Sequence, residues 1–202
     1  ENEANLSALA EKTFVENHKN LIHVSIHAGV GAGIILDHHL YTGLAGTAGE
    51  AGHMIVQPGG RSCPCGNHGC LEQYISEPAV LSRYRELSGR TTVSIDDLVW
   101  AYNQKETAAL AVTDEFTTYL ACGINNLWNL FSPECIILNC QLTAYLPQLL
   151  PEILQKLSPR FRATCHLKLS TLQDTGVLLG AAKVCISKYL GTEKLYFSGL
   201  QP

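Results

Sequence analysis

GHMIVQPGGRSCPCGNHGCLE, residues 52–72, gathers three cysteines, two histidines and a closing glutamate into a stretch rich in glycine and proline. Such a stretch has no core in which a thiol could serve as a small hydrophobe, so these cysteines have another task. Cys63 and Cys65, spaced C-x-C, cannot easily bond each other, and a reducing interior keeps thiols free. Three thiolates and one imidazole satisfy a tetrahedral zinc ion and leave no open position for catalysis, which is the pattern of a structural site. His53, Cys63, Cys65 and Cys70 supply that set, with His68 inside the knuckle as a competing ligand. Free thiols or a redox switch are the alternatives to zinc. HMIVQ, residues 53–57, alternates like a short strand that starts at His53 and turns through Pro58-Gly59-Gly60 back toward the cysteines.

The flanks of this loop are acidic. Glu50 precedes His53 by three residues and Glu72 follows Cys70 by two. Two carboxylates pinned by one metal knuckle can accept several hydrogen bonds each from the hydroxyls of a polyol; equally, they can be solvated loop carboxylates. Upstream, residues 2–17 carry apolar positions among strong helix formers and predict a helix. NLIHVSIH alternates like a half-buried strand, AGVGAG turns and IILDHHLYTG runs back, which predicts a hairpin. The glycines of that turn, Gly29, Gly31 and Gly33, either bring a phosphate close to the main chain or make a tight hairpin. The turn lies between two strands with no following Lys-Ser/Thr, which excludes a Walker loop and a dinucleotide fingerprint.

Downstream, helical patterns cover EPAVLSRYRELSG, SIDDLVWAYNQ with Ser94 as N-cap, and TAALAVTDEFTTYLACGINNLWNLF. The last of these, with Trp128 and Phe131 near its end, serves either self-association or the core. ECIILN is a buried strand, YLPQLLPEILQKLS a helix interrupted at Pro151, HLKLS a strand, and TGVLLGAAKVCISKYL a closing helix. Strands mixed with long helices predict an α/β fold around a central sheet. Cys122, Cys135, Cys140, Cys165 and Cys185 sit singly in apolar runs and read as buried thiols.

The chain has 202 residues, 46% of them hydrophobic and 16% charged, with a formal charge of -4. That is enough to bury a full core, and the absence of a basic stripe argues against direct contact with nucleic acid. No apolar run is long enough to cross a bilayer and no signal segment opens the chain, so a cytoplasmic protein without membrane insertion is expected. The first residue is Glu1 and the one methionine is Met54, so the chain reads as part of something longer, while the polar tail at 191–202 stands apart from the fold.

ENEAN (1–5), HAGVGAGI (27–34), GEAGH (49–53), CPCGNHGCLE (63–72), SPECIIL (132–138) and TGVLLGAAKV (175–184) occur in an order that resembles the ROK family of bacterial sugar kinases and sugar-responsive repressors. The resemblance covers nearly the whole chain. It implies an actin-like, hexokinase-like (ribonuclease H-like) α/β fold in which residues 1–190 form the C-terminal, sugar-binding lobe, with the N-terminal lobe and a winged helix-turn-helix absent from this chain. It also implies that Asn2, Glu3, Glu50, His53 and Glu72 face the sugar and that His53 in addition ligates zinc.

Three departures from the kinase pattern bear on activity. The kinases of the family carry an aspartate as general base where this chain has Glu3, and an extra methylene moves the carboxylate by more than an ångström, a misplacement that costs ~100-fold in rate. His27-Ala28 replaces a Gly-Thr that helps hold phosphate, and Asn139-Cys140-Gln141 replaces a glycine pair that lets the nucleotide pack closely. The resemblance therefore implies the effector-binding and dimerisation region of a repressor of carbohydrate genes, closest in pattern to the xylose and N-acetylglucosamine types. Its partners would be a sugar, further copies of the chain in a homodimer or higher homo-oligomer and, through the absent region, DNA. An ATP- and magnesium-dependent sugar kinase using Glu3 is the alternative, and a regulator controlled by a sugar-transport protein is a third class.

Overall fold

The computed structural model describes residues 2–15 and 17–192, so all but the first two residues of the expected tail lie outside the described residues. Helix α1 (Glu3–Phe14) starts where expected because Asn2 caps it: its side chain accepts a 2.8 Å hydrogen bond from the amide of Asn5. A hairpin follows, β1 (Leu21–Ile26) and β2 (Val30–Leu36), extended by the short β3 (His39–Leu40). The reversal is tighter than AGVGAG suggested. The His27 amide already donates to the Gly29 carbonyl at 2.9 Å, and Gly31 and Gly33 lie inside β2, opposite Ser25 and His23. Of the three glycines read as a phosphate turn, only Gly29 is in the turn.

Gly33 has a different task. A Cβ there would stand 2.5 Å from the Cβ of Ala8 and 2.8 Å from the carbonyl carbon of Ala4, so the glycine is what lets α1 lie directly on β2.

HMIVQ does not form a strand. Residues 51–53 make a 3-10 turn and the segment pairs through a single bridge, Ile55 to Cys70. Its alternation is nonetheless real: Met54 and Val56 pack against the core while Ile55 is exposed. The loop delivers the chain to α2 (Glu72–Ile75), a turn of helix not evident from sequence, and then to α3 (Glu77–Ser88), which Gly89 ends in the left-handed region. Helix α4 (Ile95–Asn103) begins with a capping box between Ser94 and Asp97, and α5 (Thr107–Phe131) spans the 25 residues expected.

Strand β4 (Cys135–Cys140) leads into α6 (Gln141–Tyr145) and α7 (Leu149–Lys156). The helical break falls at residues 146–148, not at Pro151, which sits in the first turn of α7 where its missing N–H costs nothing. Helix α8 (Pro159–Thr164), capped by Ser158, was not anticipated; β5 (His166–Leu169) and α9 (Thr175–Leu190) were.

The sheet order is β3-β2-β1-β4-β5, antiparallel on the hairpin side and parallel from β1 through β4 to β5. The two central strands are buried at every residue, so NLIHVSIH is not half exposed as its alternation suggested: His23 and Ser25 are buried too. Ala8, Leu9 and Val184 of α1 and α9 cover one face against Leu21, Ile35 and Ile137. The larger cluster lies on the other face, where Phe116, Leu120, Ile124 and Leu127 of α5 meet Ile22, Val24, Ile136 and Leu138. Trp128 is buried edge-on to Phe161, ring centres 5.8 Å apart, and Phe131 packs against the same core, while Leu130 is exposed. Cys135, Cys140 and Cys165 are buried as read, Cys122 is half-buried, and Cys185 is exposed on α9, contrary to its reading.

Candidate metal centre and ligand pocket

The ligand atoms of His53, Cys63, Cys65 and Cys70 lie within 4.8 Å of one another, and His68 is exposed and outside the group. The Cys63 sulfur stands 3.7 Å from His53 Nδ1, and the Cys65 and Cys70 sulfurs are 3.7 Å apart. A tetrahedral zinc ion with bonds of about 2.3 Å holds its ligands about 3.8 Å from each other, so the spacing is that of a tetrahedron's edges and far too long for a disulfide.

The backbone builds this geometry from small turns. The Gly66 amide donates to the Cys63 carbonyl at 3.0 Å, and Gly69 has a φ of +83° with the Gln57 carbonyl where a Cβ would be. No other residue fits that position. As thiols, Cys70 is pushed up to about 12 by burial and then by its sulfur neighbours, whereas a backbone hydrogen bond from Asn67 lowers Cys65. A divalent cation inverts this balance, since coordination deprotonates a thiol outright. Gln73, which sequence reading passed over, donates from Nε2 to the Cys63 sulfur at 3.7 Å, as outer-shell partners of metal ligands do.

Three of the sugar-side candidates, Glu50, His53 and Glu72, are tied directly or through neighbouring backbone to the turn and first residues of β2. Glu72 Oε2 accepts a 3.0 Å hydrogen bond from the Val30 amide. The Ala32 amide donates at 2.7 Å to the Gly49 carbonyl, which fixes the residue before Glu50, and Gly52 packs against the Val30 carbonyl. His53 N–H in turn donates to the Glu50 carbonyl at 3.1 Å. Residues 29–32 thus act as a common ledge for Glu50, His53 and Glu72, and Ala4, next to Asn2 and Glu3, packs on Gly31 of the same ledge. Glu50 is exposed and His53 and Glu72 are half-buried, so the two carboxylates offer acceptors to a ligand while a zinc-bound His53 would offer its remaining ring N–H as a donor.

A cleft of about 270 Å³ is lined by Glu3, Ser7, Ser25, His27, Asn139, Asp174 and Val177. Glu3 and Asp174 make its wall acidic. A separate interior space of only about 10 Å³ lies among Ile26, Val80, Ile95, Phe116 and Cys140. That space admits no more than about one water molecule.

A search against family models matches "ROK family" over residues 1–188. A xylose repressor of Bacillus spizizenii is 35% identical over 201 residues, covering 96% of this chain and 52% of the relative. Among solved structures, a ROK family transcriptional regulator homologous to the E. coli MLC protein superposes with a TM-score of 0.76 at 32% identity, over 90% of this chain and 50% of that one. A ROK hexokinase from Thermus thermophilus superposes with a TM-score of 0.77 at 26% identity, over 90% of this chain and 62% of that one. The chain spans about half the length of the repressors it matches. No helix among the described residues is long and apolar enough to cross a membrane. The sheet order, the knuckle and these matches together establish that the chain belongs to the ROK family and has its actin-like, hexokinase-like α/β fold.

Proposed function

We propose that this chain is the effector-binding lobe, residues 1–190, of a sugar-responsive repressor of carbohydrate genes. The observation that carries the reading is a contrast between two sides of one molecule. The sugar side is assembled, with Glu50, His53 and Glu72 anchored on residues 29–32 and the knuckle fit for zinc. The cleft that His27 and Asn139 line carries Asp174 and shares Glu3 with the sugar set, so two carboxylates face the space a polyphosphate would need. Similarity to xylose repressors at 33–35% identity supports the same reading.

In this account Asn2, Glu3, Glu50, His53 and Glu72 hydrogen-bond the sugar and zinc holds the loop that carries three of them. The ion supplies no chemistry of its own, since its four positions are filled by protein. Sugar binding alters the relation of this lobe to the remainder of the protein and so lowers affinity for DNA, which a separate region grips. A homodimer and cytoplasmic location accompany the role, and control by a sugar-transport protein is compatible with it. One observation favours kinase activity: Glu3 belongs to the proposed sugar set and also lines the cleft, as a general base between sugar and phosphate does.

The reading is tested by fluorescence anisotropy on operator DNA with the full-length protein. D-xylose or D-glucose, whichever binds by calorimetry, is expected to release the DNA. DNA affinity unchanged at saturating sugar would refute the repressor role.

A further inference from the structure

The zinc knuckle ties its own loop together but does not by itself orient that loop against the body of the protein. Arg61 does. Its backbone N–H donates to Tyr74 Oη at 2.9 Å, Nη1 donates to the Gln73 carbonyl at 2.8 Å, Nη2 pairs with Glu115 Oε1 on α5, and the guanidinium lies 4.5 Å from the centre of the Tyr74 ring. Tyr74 is buried and stacks on Tyr119 of α5 with ring centres 4.0 Å apart. Beside it, Leu71 fills the gap over Gly123, where a Cβ would stand 2.6 Å from Leu71 Cδ2.

Both ends of this contact are held from elsewhere. Glu115 is also bound by Arg83 Nε of α3 at 3.0 Å, so two guanidinium groups fix its carboxylate. The preceding residue, Asp114, pairs with Lys156 of α7 at 2.6 Å, which locks the same turn of α5 to its neighbour. On the loop side, Gln73 offers its carbonyl to Arg61 and its side chain to the Cys63 sulfur, and Glu72 precedes it on α2. Arg61 therefore reaches the metal ligand and the sugar-facing carboxylate through one residue. Both partners are partly exposed, at 36% and 22%, so their removal opens no cavity in the core.

We propose that Arg61 and Glu115 are positioning residues for the ligand pocket: together they clamp the zinc knuckle onto α5 and thereby set the angle at which His53 and Glu72 meet the sugar. The proposal rests on the sugar-receptor reading for its ligand. The forked guanidinium is essential to it, because one arm holds a carbonyl and the other a carboxylate, and a lysine ammonium has no such fork.

The experiment compares full-length wild type with Arg61→Lys, Glu115→Gln and the double variant. D-xylose affinity is measured by calorimetry, zinc per chain by metal analysis, and the rate of zinc release to a chelator by absorbance. Each single change is expected to weaken D-xylose binding about 10-fold, the factor that about 1.4 kcal/mol of lost positioning represents. The double variant is expected to be no weaker than either single one, with one zinc per chain retained throughout. Unchanged affinity in both variants, additive losses in the double, or loss of zinc in parallel with affinity would overturn the clamp. Failure of the receptor reading shows separately, as absence of binding by wild type to D-xylose and D-glucose. Zinc release then decides: faster release in both single variants supports the clamp, and an unchanged rate overturns it.

Discussion

Gly33→Ala and Gly31→Ala form a matched pair, two residues apart on the same strand and the same face. At Gly33 the added methyl would stand 2.5 Å from Ala8 Cβ and 2.8 Å from the Ala4 carbonyl carbon, whereas at Gly31 the nearest atom is Ala4 Cβ at 3.4 Å. Carbon atoms rest about 3.5–4.0 Å apart, so Gly33→Ala falls short by roughly 1 Å and Gly31→Ala hardly at all. The obstacle at Gly33 includes backbone, which cannot rotate away as a side chain can; α1 must lift off β2 and carry Asn2 and Glu3 with it. Overpacking of this kind costs about 2 kcal/mol, which in a domain of this size lowers Tm by roughly 6 °C. With Asn2 and Glu3 facing the sugar as proposed, the same shift is expected to weaken sugar binding in Gly33→Ala and not in Gly31→Ala. Differential scanning fluorimetry and calorimetric titration with D-xylose measure both effects. Gly31→Ala is expected to lie within about 0.5 kcal/mol of wild type. Equal losses in the two variants would refute the packing argument and restore a ligand-contact role for both glycines.

Other outcomes follow from the site and the core. Cys70→Ser is expected to abolish bound zinc and D-xylose binding together, while Cys122→Ser spares both; sugar binding that survives metal loss would contradict the role given to zinc. His23 is buried between β2 and β4, and burial, reinforced by His27, holds its pKa down to about 3 against an ordinary 6.5. Its neutral form is the one the fold accepts, so stability is fully present above pH 6.5 and falls as pH drops toward the folded value. Between pH 6.5 and 5 this loss amounts to about 2 kcal/mol, and His23→Leu is expected to flatten that part of the profile in urea titrations at stepped pH. A slope identical to wild type would mean that His23 takes up no proton on unfolding.

Local features were legible in the sequence. The four knuckle residues fall within twenty positions, and Ser94 acts through a capping box within one turn, whereas the caps at Asn2 and Gly89 were not read. What was misread or left open had two meanings at short range. Gly-x-Gly fits both a phosphate turn and one face of a strand under a helix, and only the approach of Ala4 and Ala8 decides. The alternation in HMIVQ fits a strand, yet its single bridge to Cys70 leaves it a loop. Arg61 and Glu115, separated by 54 residues, were invisible because no periodicity links a loop arginine to a helix that happens to pass beneath it.

The central claim, a sugar receptor built on a kinase fold, is tested most directly by titrating the full-length protein with D-xylose and D-glucose, with and without ATP and magnesium, and assaying for phosphorylated product. The account predicts that one sugar binds, that ATP leaves its affinity unchanged and that no product forms. Steady product formation that Glu3→Gln abolishes would contradict it and make the protein an enzyme.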